Sequence, residues 1–478
     1  MNQKKIPLLD ALMVHTEKNP VSFHVPGHKY GSLIPEAAKG YFQDLLKLDA
    51  TELNGLDDLH APEGVILDAE NLLADFYGTK KSFFLVNGST VGNLAMIMAA
   101  IEENDTVLVQ RNCHKSILNG VHLVKANPVF LAPDFVESWG VAGGVSLQTV
   151  KAAIHEFPEA KSIILTYPNY YGMVTELEEI IEFSHSKGIS VLIDEAHGAH
   201  FAGGDVFPKS AVQLKADIVV QSAHKTLPAM TMGAYLHVNS EILSEIKVSH
   251  YLQILQSSSP SYPIMASLDI ARHYLATFSN KDMKYLINKI EEFRTRLQEL
   301  NGVKVLSYPN GIGDPLKITI QSASSLNGYE LQSLLEGTGI YAEMADPYNV
   351  LLVFPLLKDG EKFAIEEIAK RFERALQSVS NTNMEKVKSS YGKPRISKLA
   401  LNARQIEKLK PISVPLDEST EKICAQLIIP YPPGIPLLFP GEKIREEDID
   451  FIKLLLKSGA RFQGGDSLKS GRLDIFPV

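Results

Sequence analysis

Cysteine is nearly absent: Cys113 and Cys424 are the only two in 478 residues. Two isolated thiols build no disulfide framework and no CxxC metal site, which suits a reducing cytoplasm. Also missing is any apolar run approaching the roughly 20 residues a membrane span needs. The opening residues, MNQKKIPLLDALMVHTEKNP, hold an apolar run too short and too interrupted for a signal-peptide core. There is no excess of positive charge. The net charge of -9 argues against a nucleic-acid partner and is compatible with a small cationic substrate. No internal repeat is visible. What is present, 45% hydrophobic and 22% charged residues, is the composition of a soluble globular protein. The length implies two or three domains.

Residues 1–20 read as an amphipathic helix, with Ile6, Leu9, Leu12 and Met13 on one face, ending at Asn19-Pro20. The loop FHVPGHKYG (23–31) follows. His24 and His28 are four apart, but Pro26 and Gly27 deny them the helical spacing of a zinc pair. A second polar loop, GLDDLHAP (55–62), precedes a helix over 64–77. Seven strand-like runs then alternate with helical patterns: 82–86, 106–110, 128–132, 162–166, 189–193, 218–220 and 233–238. The intervening helices are expected over 91–102, 114–126, 147–157 and 176–187. Strands apolar throughout and separated by helices predict an α/β fold with a mainly parallel sheet covered on both faces. A helical region over 263–300 and short elements over 303–380 suggest a smaller α+β domain. The polar stretch 381–397 reads as a linker, followed by a tail containing YPPGIPLLFPGE (431–442), whose prolines make it a rigid, non-regular loop. The expected division is a helical arm at 1–22, a large domain at 23–302, a small domain at 303–380, and linker plus C-terminal domain at 381–478.

Polar and reactive groups gather at four strand ends, where α/β sheets bind their ligands. Asn87-Gly88-Ser89-Thr90 opens a helix, so free N–H groups and two hydroxyls make an anion site, with plain N-capping as the alternative. GSTVG differs from the GxSxG nucleophile elbow by its central threonine, which weakens a serine-hydrolase reading. Arg111-Asn112-Cys113-His114 opens another helix. Asp194 ends an apolar strand, where a carboxylate is costly without a cation or donor, and Asp194, His197 and His200 could instead form a metal set. Ser222-Ala223-His224-Lys225 follows the strand at 218–220. A desolvated lysine there has a lowered pKa and a nucleophilic amine. Pyridoxal 5'-phosphate accounts for all four ends together. It needs a lysine to hold its aldehyde as an imine, a cup for its phosphate, a carboxylate on its pyridine nitrogen, and a flat group against its ring. Lys225, then Ser89, Thr90, Ser222 and His224, then Asp194, then His114 supply these in turn.

The motifs FHVPGHK, LDDLHAP, NGST, RNCHKS, DEAHGAH, SAHKTLPAMTMG, SSSPSYPIMASLD and YPPGIPLLFPGE, in this order, resemble the Orn/Lys/Arg decarboxylase family over nearly the whole chain. That resemblance implies a fold-type I pyridoxal-phosphate enzyme, aspartate-aminotransferase-like, with no metal. It implies that Lys225 anchors the cofactor as an imine, Asp194 pairs with the pyridine nitrogen, His114 stacks on the ring, and His197 lies nearby. Ser89, Thr90, Ser222 and His224 would hold the phosphate. The larger family members carry a receiver-like wing domain ahead of the PGHK motif, and only a short arm stands there in this sequence. The large rings tied to that wing are therefore not expected, while a shared homodimer is. The implied reaction is decarboxylation of a basic amino acid, arginine by analogy with the wingless branch, with lysine and ornithine open. His224 or Lys225 is the candidate proton donor. Glu343 and Asp346 are candidates for meeting the substrate's basic side chain. Amino transfer by the same cofactor and a metal-dependent hydrolase remain the rival readings, and polyamine synthesis in the cytoplasm is the expected setting.

Overall fold

A computed structural model describes residues 1–377, 379, 394–431, 434–464 and 466–478. The stretch read as a linker lies, through residue 393, outside the described residues, as do Pro432 and Pro433 of the tail motif. The chain divides into two compact units, one of residues 1–100 and 190–279, the other of residues 101–189 and 280–478. In chain order the main strands are β1 (Lys81–Leu85), β2 (Thr106–Gln110), β3 (Asn127–Leu131), β4 (Ser162–Thr166), β5 (Ser190–Asp194), β6 (Ile218–Gln221) and β7 (Ala234–Val238). They continue with β8 (Val303–Val305), β9 (Lys317–Ser322), β10 (Met344–Ala345), β11 (Asn349–Val353) and β12 (Ile396–Lys398).

The first unit holds strands in the order β1-β7-β6-β5. β5 and β6 run parallel, while β7 is antiparallel to both β1 and β6. All five residues of β5 and all four of β6 are buried, the pattern of strands covered on both faces. Helix α1 (Pro7–Glu17) buries Leu8 and Leu12, and Asp269 accepts a hydrogen bond from the Leu8 N–H at 3.1 Å. Helix α2 (Glu36–Lys47), which the sequence pattern did not suggest, buries none of its residues. Asp57 of the LDDLHAP loop accepts from the backbone N–H groups of Glu63, Gly64, Ile66 and Leu67 at 2.8–3.3 Å. It thereby satisfies the orphan donors that start helix α3 (Val65–Tyr77). That loop is a helix cap, contributed from outside the helix.

The second unit holds strands in the order β4-β2-β3-β12. β2 is parallel to β3 and β4, and β12 adds antiparallel to β3. Its small sheet has the order β8-β9-β11-β10. All seven runs read as strands are strands, displaced by a residue or so at their ends. The region 263–300 is two helices, Tyr262–Ala276 and Asn280–Gln298.

The tail motif packs inside this second unit. Arg111, one residue past β2, donates from Nε and Nη2 to Glu442 at 2.9 and 2.7 Å, a bidentate pair. Its Nη1 and Nη2 also donate to the carbonyls of Pro436 and Leu437 at 2.7 and 2.9 Å. Both side chains are under a tenth exposed. Gly434, at φ +97°, lies where a Cβ would stand 3.4 Å from the His114 ring, so the motif's backbone runs directly over that imidazole. Breaking a buried pair leaves one charge uncompensated. Glu442→Ala should therefore cost about 3–5 kcal/mol, read from urea midpoints, while the double Arg111→Met/Glu442→Leu should lose markedly less. Equal losses in both would disprove this account.

Candidate active site

Helix α4 (Gly88–Ala100) begins immediately after the loop that ends β1. Gly88 takes φ +77° and donates its N–H to the Met232 carbonyl at 2.8 Å. Gly92 has a packing reason: a Cβ there would meet Leu85 at 2.7 Å and Val220 at 2.8 Å. The GxxxG spacing that mimics a nucleophile elbow thus serves to seat α4 on β1 and β6. Ser89 lies on the first turn, and Ser222 donates to its Oγ at 2.8 Å. Thr90, beside it, is exposed. Two hydroxyls from separate segments therefore meet at the N-terminus of a 13-residue helix, the geometry of an anion site.

Asp194 ends β5 and is 2% exposed. Its Oδ2 accepts from Asn93 Nδ2 at 3.0 Å and its Oδ1 from the Ala196 N–H at 3.1 Å. Asn93 escaped the sequence reading. It sits one helical turn after Ser89, on the same face of α4, and that i, i+4 spacing was the signal that could have found it. Both donors to Asp194 are neutral, so the buried carboxylate keeps an uncancelled charge.

Lys225 sits in the short helix Ala223–Thr226, capped by Ser222 after β6. Its Nζ lies 3.0 Å from Nε2 of His197, an acceptor when that ring carries its proton on Nδ1. His224 turns its Nδ1 to the Gly233 carbonyl at 2.9 Å. His200 is fully buried, edge-on to Phe201 and Phe207 with ring centroids 4.9 and 4.8 Å away. The third member of the metal-set reading is thus packed among aromatic rings. Among the described residues no group of three or more His, Cys, Asp or Glu side chains could hold a metal ion. His24 and His28 are likewise engaged locally, with Tyr30 and Asp49.

The first unit therefore brings together Ser89 with Ser222, and Lys225 with His197, around strand ends that also carry Asp194. His114 belongs to the second unit, where it caps the helix Lys115–Leu123 and its Nδ1 lies 3.2 Å from the Ser116 N–H and 2.8 Å from the Ser116 hydroxyl. Asp346 is half-buried and heavily hydrogen-bonded, and Glu343 is exposed.

A buried carboxylate with neutral donors fits a protonated pyridine nitrogen, the helix terminus with two hydroxyls fits a phosphate, and a half-buried lysine beside an imidazole fits an aldehyde. Fold and residues together define a fold-type I pyridoxal-phosphate enzyme. Residues 6–311 match the family model of the Orn/Lys/Arg decarboxylase major domain, and residues 393–468 match that of its C-terminal domain. An uncharacterized protein of Bacillus subtilis, YaaO, is 45% identical over 474 residues, covering 98% of each chain. The arginine decarboxylase of Bacillus subtilis is 34% identical, covering 97% of this chain and 96% of its own. The solved lysine decarboxylase LdcF of Francisella novicida superposes with a TM-score of 0.82 at 24% identity, over 98% of this chain and 80% of that one. The chain belongs to the Orn/Lys/Arg decarboxylase family, and it is a pyridoxal-phosphate-dependent decarboxylase. No helix among the described residues is long and apolar enough to cross a membrane.

Beside Asp194 stands a second buried carboxyl of different character. Glu195 is fully buried and accepts from Ser210 Oγ at 2.7 Å, the Ala211 N–H at 2.7 Å and Gln221 Nε2 at 2.5 Å. Burial outweighs these bonds and raises its pKa to about 8. The unfolded chain ionises this group in the ordinary carboxyl range, while the folded chain holds its proton up to about 8. Between those values the folded state carries the extra proton, so stability falls as pH rises, by up to about 1.4 kcal/mol per unit. Glu195→Gln should remove that slope. Urea midpoints of variant and wild type should diverge in the variant's favour between pH 5 and pH 8; parallel curves would contradict the assignment.

Proposed function

We propose that the chain decarboxylates a basic amino acid, arginine in preference to lysine or ornithine, giving the amine and CO2, in the setting of cytoplasmic polyamine synthesis. The observation that carries this reading is the placement of Lys225 Nζ 3.0 Å from His197 in the same unit as the buried Asp194. The preference for arginine is supported by identity of 34% to an arginine decarboxylase against 24% to the inducible lysine decarboxylase of Escherichia coli.

Bound pyridoxal phosphate supplies an electron sink for the bond to the departing carboxylate. In this reading Lys225 would hold the cofactor through its aldehyde carbon. Asp194 holds a proton at the pyridine nitrogen, and Asn93 keeps its carboxylate aimed there. Ser89, Thr90, Ser222 and His224 bind the phosphate, His114 lies against the ring, and His197 orients the lysine amine by accepting from it. Lys225 or His224 returns a proton to Cα. A homodimer is the expected assembly.

The test offers arginine, lysine and ornithine separately to the cofactor-loaded protein and measures CO2 and amine. Arginine should give agmatine at the highest kcat/KM. Lys225→Ala should lose the cofactor's visible absorption band and at least about 10³ of the rate, as removal of a covalent nucleophile does. Asp194→Asn should retain cofactor yet lose most of the rate. Amino-group transfer to a keto acid without CO2 would sink this reading in favour of a transaminase.

A further inference from the structure

Within the first unit, β5 and β6 end side by side, and successive residues at each end face opposite sides of the sheet. On the front, towards α4, Asp194 meets Asn93 and Ser222 meets Ser89. On the back stand Glu195 and Gln221, wholly buried and unused by the reaction scheme above. Gln221 Nε2 donates to Glu195 Oε2 at 2.5 Å, and the Glu195 N–H donates to the Val220 carbonyl at 2.8 Å. Side chain and backbone together tie the two strand ends. Gln221 is itself held by a row of buried groups. Its Oε1 lies 3.1 Å from His237 Nε2, while His237 Nδ1 lies 2.8 Å from Ser82 Oγ, and that hydroxyl lies 2.8 Å from Thr79 Oγ1. Burial keeps the imidazole neutral, its pKa lowered to about 3. With its one proton on Nε2, the ring donates to the Gln221 oxygen and accepts from Ser82, so each contact in the row has one donor and one acceptor.

We propose that Gln221 and Glu195 are positioning residues for the reaction: their hydrogen bond on the back of the sheet fixes the spacing on its front between Asp194 and the turn carrying Ser222 and Lys225. The inference rests on the roles given above to those three residues, which meet different parts of one rigid cofactor. Each member of the pair acts through its neighbour in sequence, Glu195 through Asp194 and Gln221 through Ser222. Ser210 Oγ and the Ala211 N–H, at 2.7 Å each, hold the Glu195 carboxyl from its other side, so it is a fixed anchor for the amide. The tie survives either protonation state of Glu195. Ionised, Oε2 accepts from both Gln221 and Ser210; protonated, its hydroxyl donates to Ser210 Oγ and still accepts from Gln221. A rigid group must be met at all its contacts at once, and a misplacement of about 1 Å can cost about 10²-fold in rate.

Gln221→Met nearly keeps the volume and removes both side-chain bonds. Its dissociation constant for pyridoxal phosphate should rise at least about ten-fold, and the circular dichroism of the bound cofactor's visible band should weaken. In the loaded enzyme kcat should fall about 10²-fold, with KM within about two-fold of wild type. Leu12→Ala, a cavity under α1 away from these strand ends, is the control for lost stability. It should lower the urea midpoint and leave cofactor affinity and the visible band unchanged. The exchange Glu195→Gln/Gln221→Glu reverses the tie: the amide at position 195 donates to the carboxylate at 221, which also accepts from His237. It should bind cofactor within about three-fold of wild type, and it tests the tie even if Gln221→Met fails to fold. Wild-type affinity and band in Gln221→Met, equal changes in Leu12→Ala, or a folded exchange variant binding about ten-fold more weakly would each overturn the proposal. Decarboxylation is a separate readout. A protein inert towards all three amino acids whose cofactor affinity still depends on Gln221 would refute the proposed function and leave the tie standing.

Discussion

A carboxylate at the dry end of a strand is the constraint from which the first unit is built. Asp194 is buried, and an isolated ionised carboxylate in such a place is unaffordable unless donors and a counter-charge meet it. Asn93 supplies a donor only because α4 lies close on the sheet, and α4 lies close because residue 92 has no side chain to hold it away. The same seating brings Ser89 to Ser222. One packing contact thus sets both the carboxylate's orientation and the hydroxyl pair at the helix terminus. Glu195, the next residue, shows the alternative fate. With no ligand to serve, burial keeps it protonated, and it ties β6 to the segment at Ser210 and Ala211 through three hydrogen bonds.

In the second unit the charge that had to be buried is arginine. Arg111 follows β2 directly, and its guanidinium is met by Glu442 and two carbonyls from a segment more than 300 residues away. The proline-rich tail is rigid because it has to present those acceptors in a fixed geometry. The loop that results passes over His114, whose orientation is further set by Ser116.

The strands were legible because buried parallel strands leave continuous apolar runs, and Lys225, Asp194 and Ser222 were legible because they stand where those runs stop. What escaped did so for physical reasons. Ile396–Lys398 is three residues long, too short to carry a period, and it exists as a strand only because β3 offers an edge. Helix α2 buries nothing, so no stripe of core residues announces it. Asn93 in a helix reads as a weak helix former until its partner is known. Arg111 was legible only as a polar group at a strand end and Glu442 only as the last residue of the tail motif, since the pairing that buries them is invisible to any local window. Asp346 was named as a candidate for a basic ligand, but only the structure shows the tyrosines around it.

The carboxylates sort by what holds them. Glu442 faces a cation and is cancelled, so its work is mechanical. Asp57 caps a helix, whose dipole supplies the opposing partial charge. Asp194 belongs to neither kind: a side-chain amide and a backbone N–H hold it, and neither donor carries a charge. A fold that only needed stability would gain more from a well-packed apolar side chain at that position. A carboxylate held among neutral donors makes sense where the missing positive charge arrives with a ligand, and Asp194 stands at the kind of strand end where α/β sheets bind theirs.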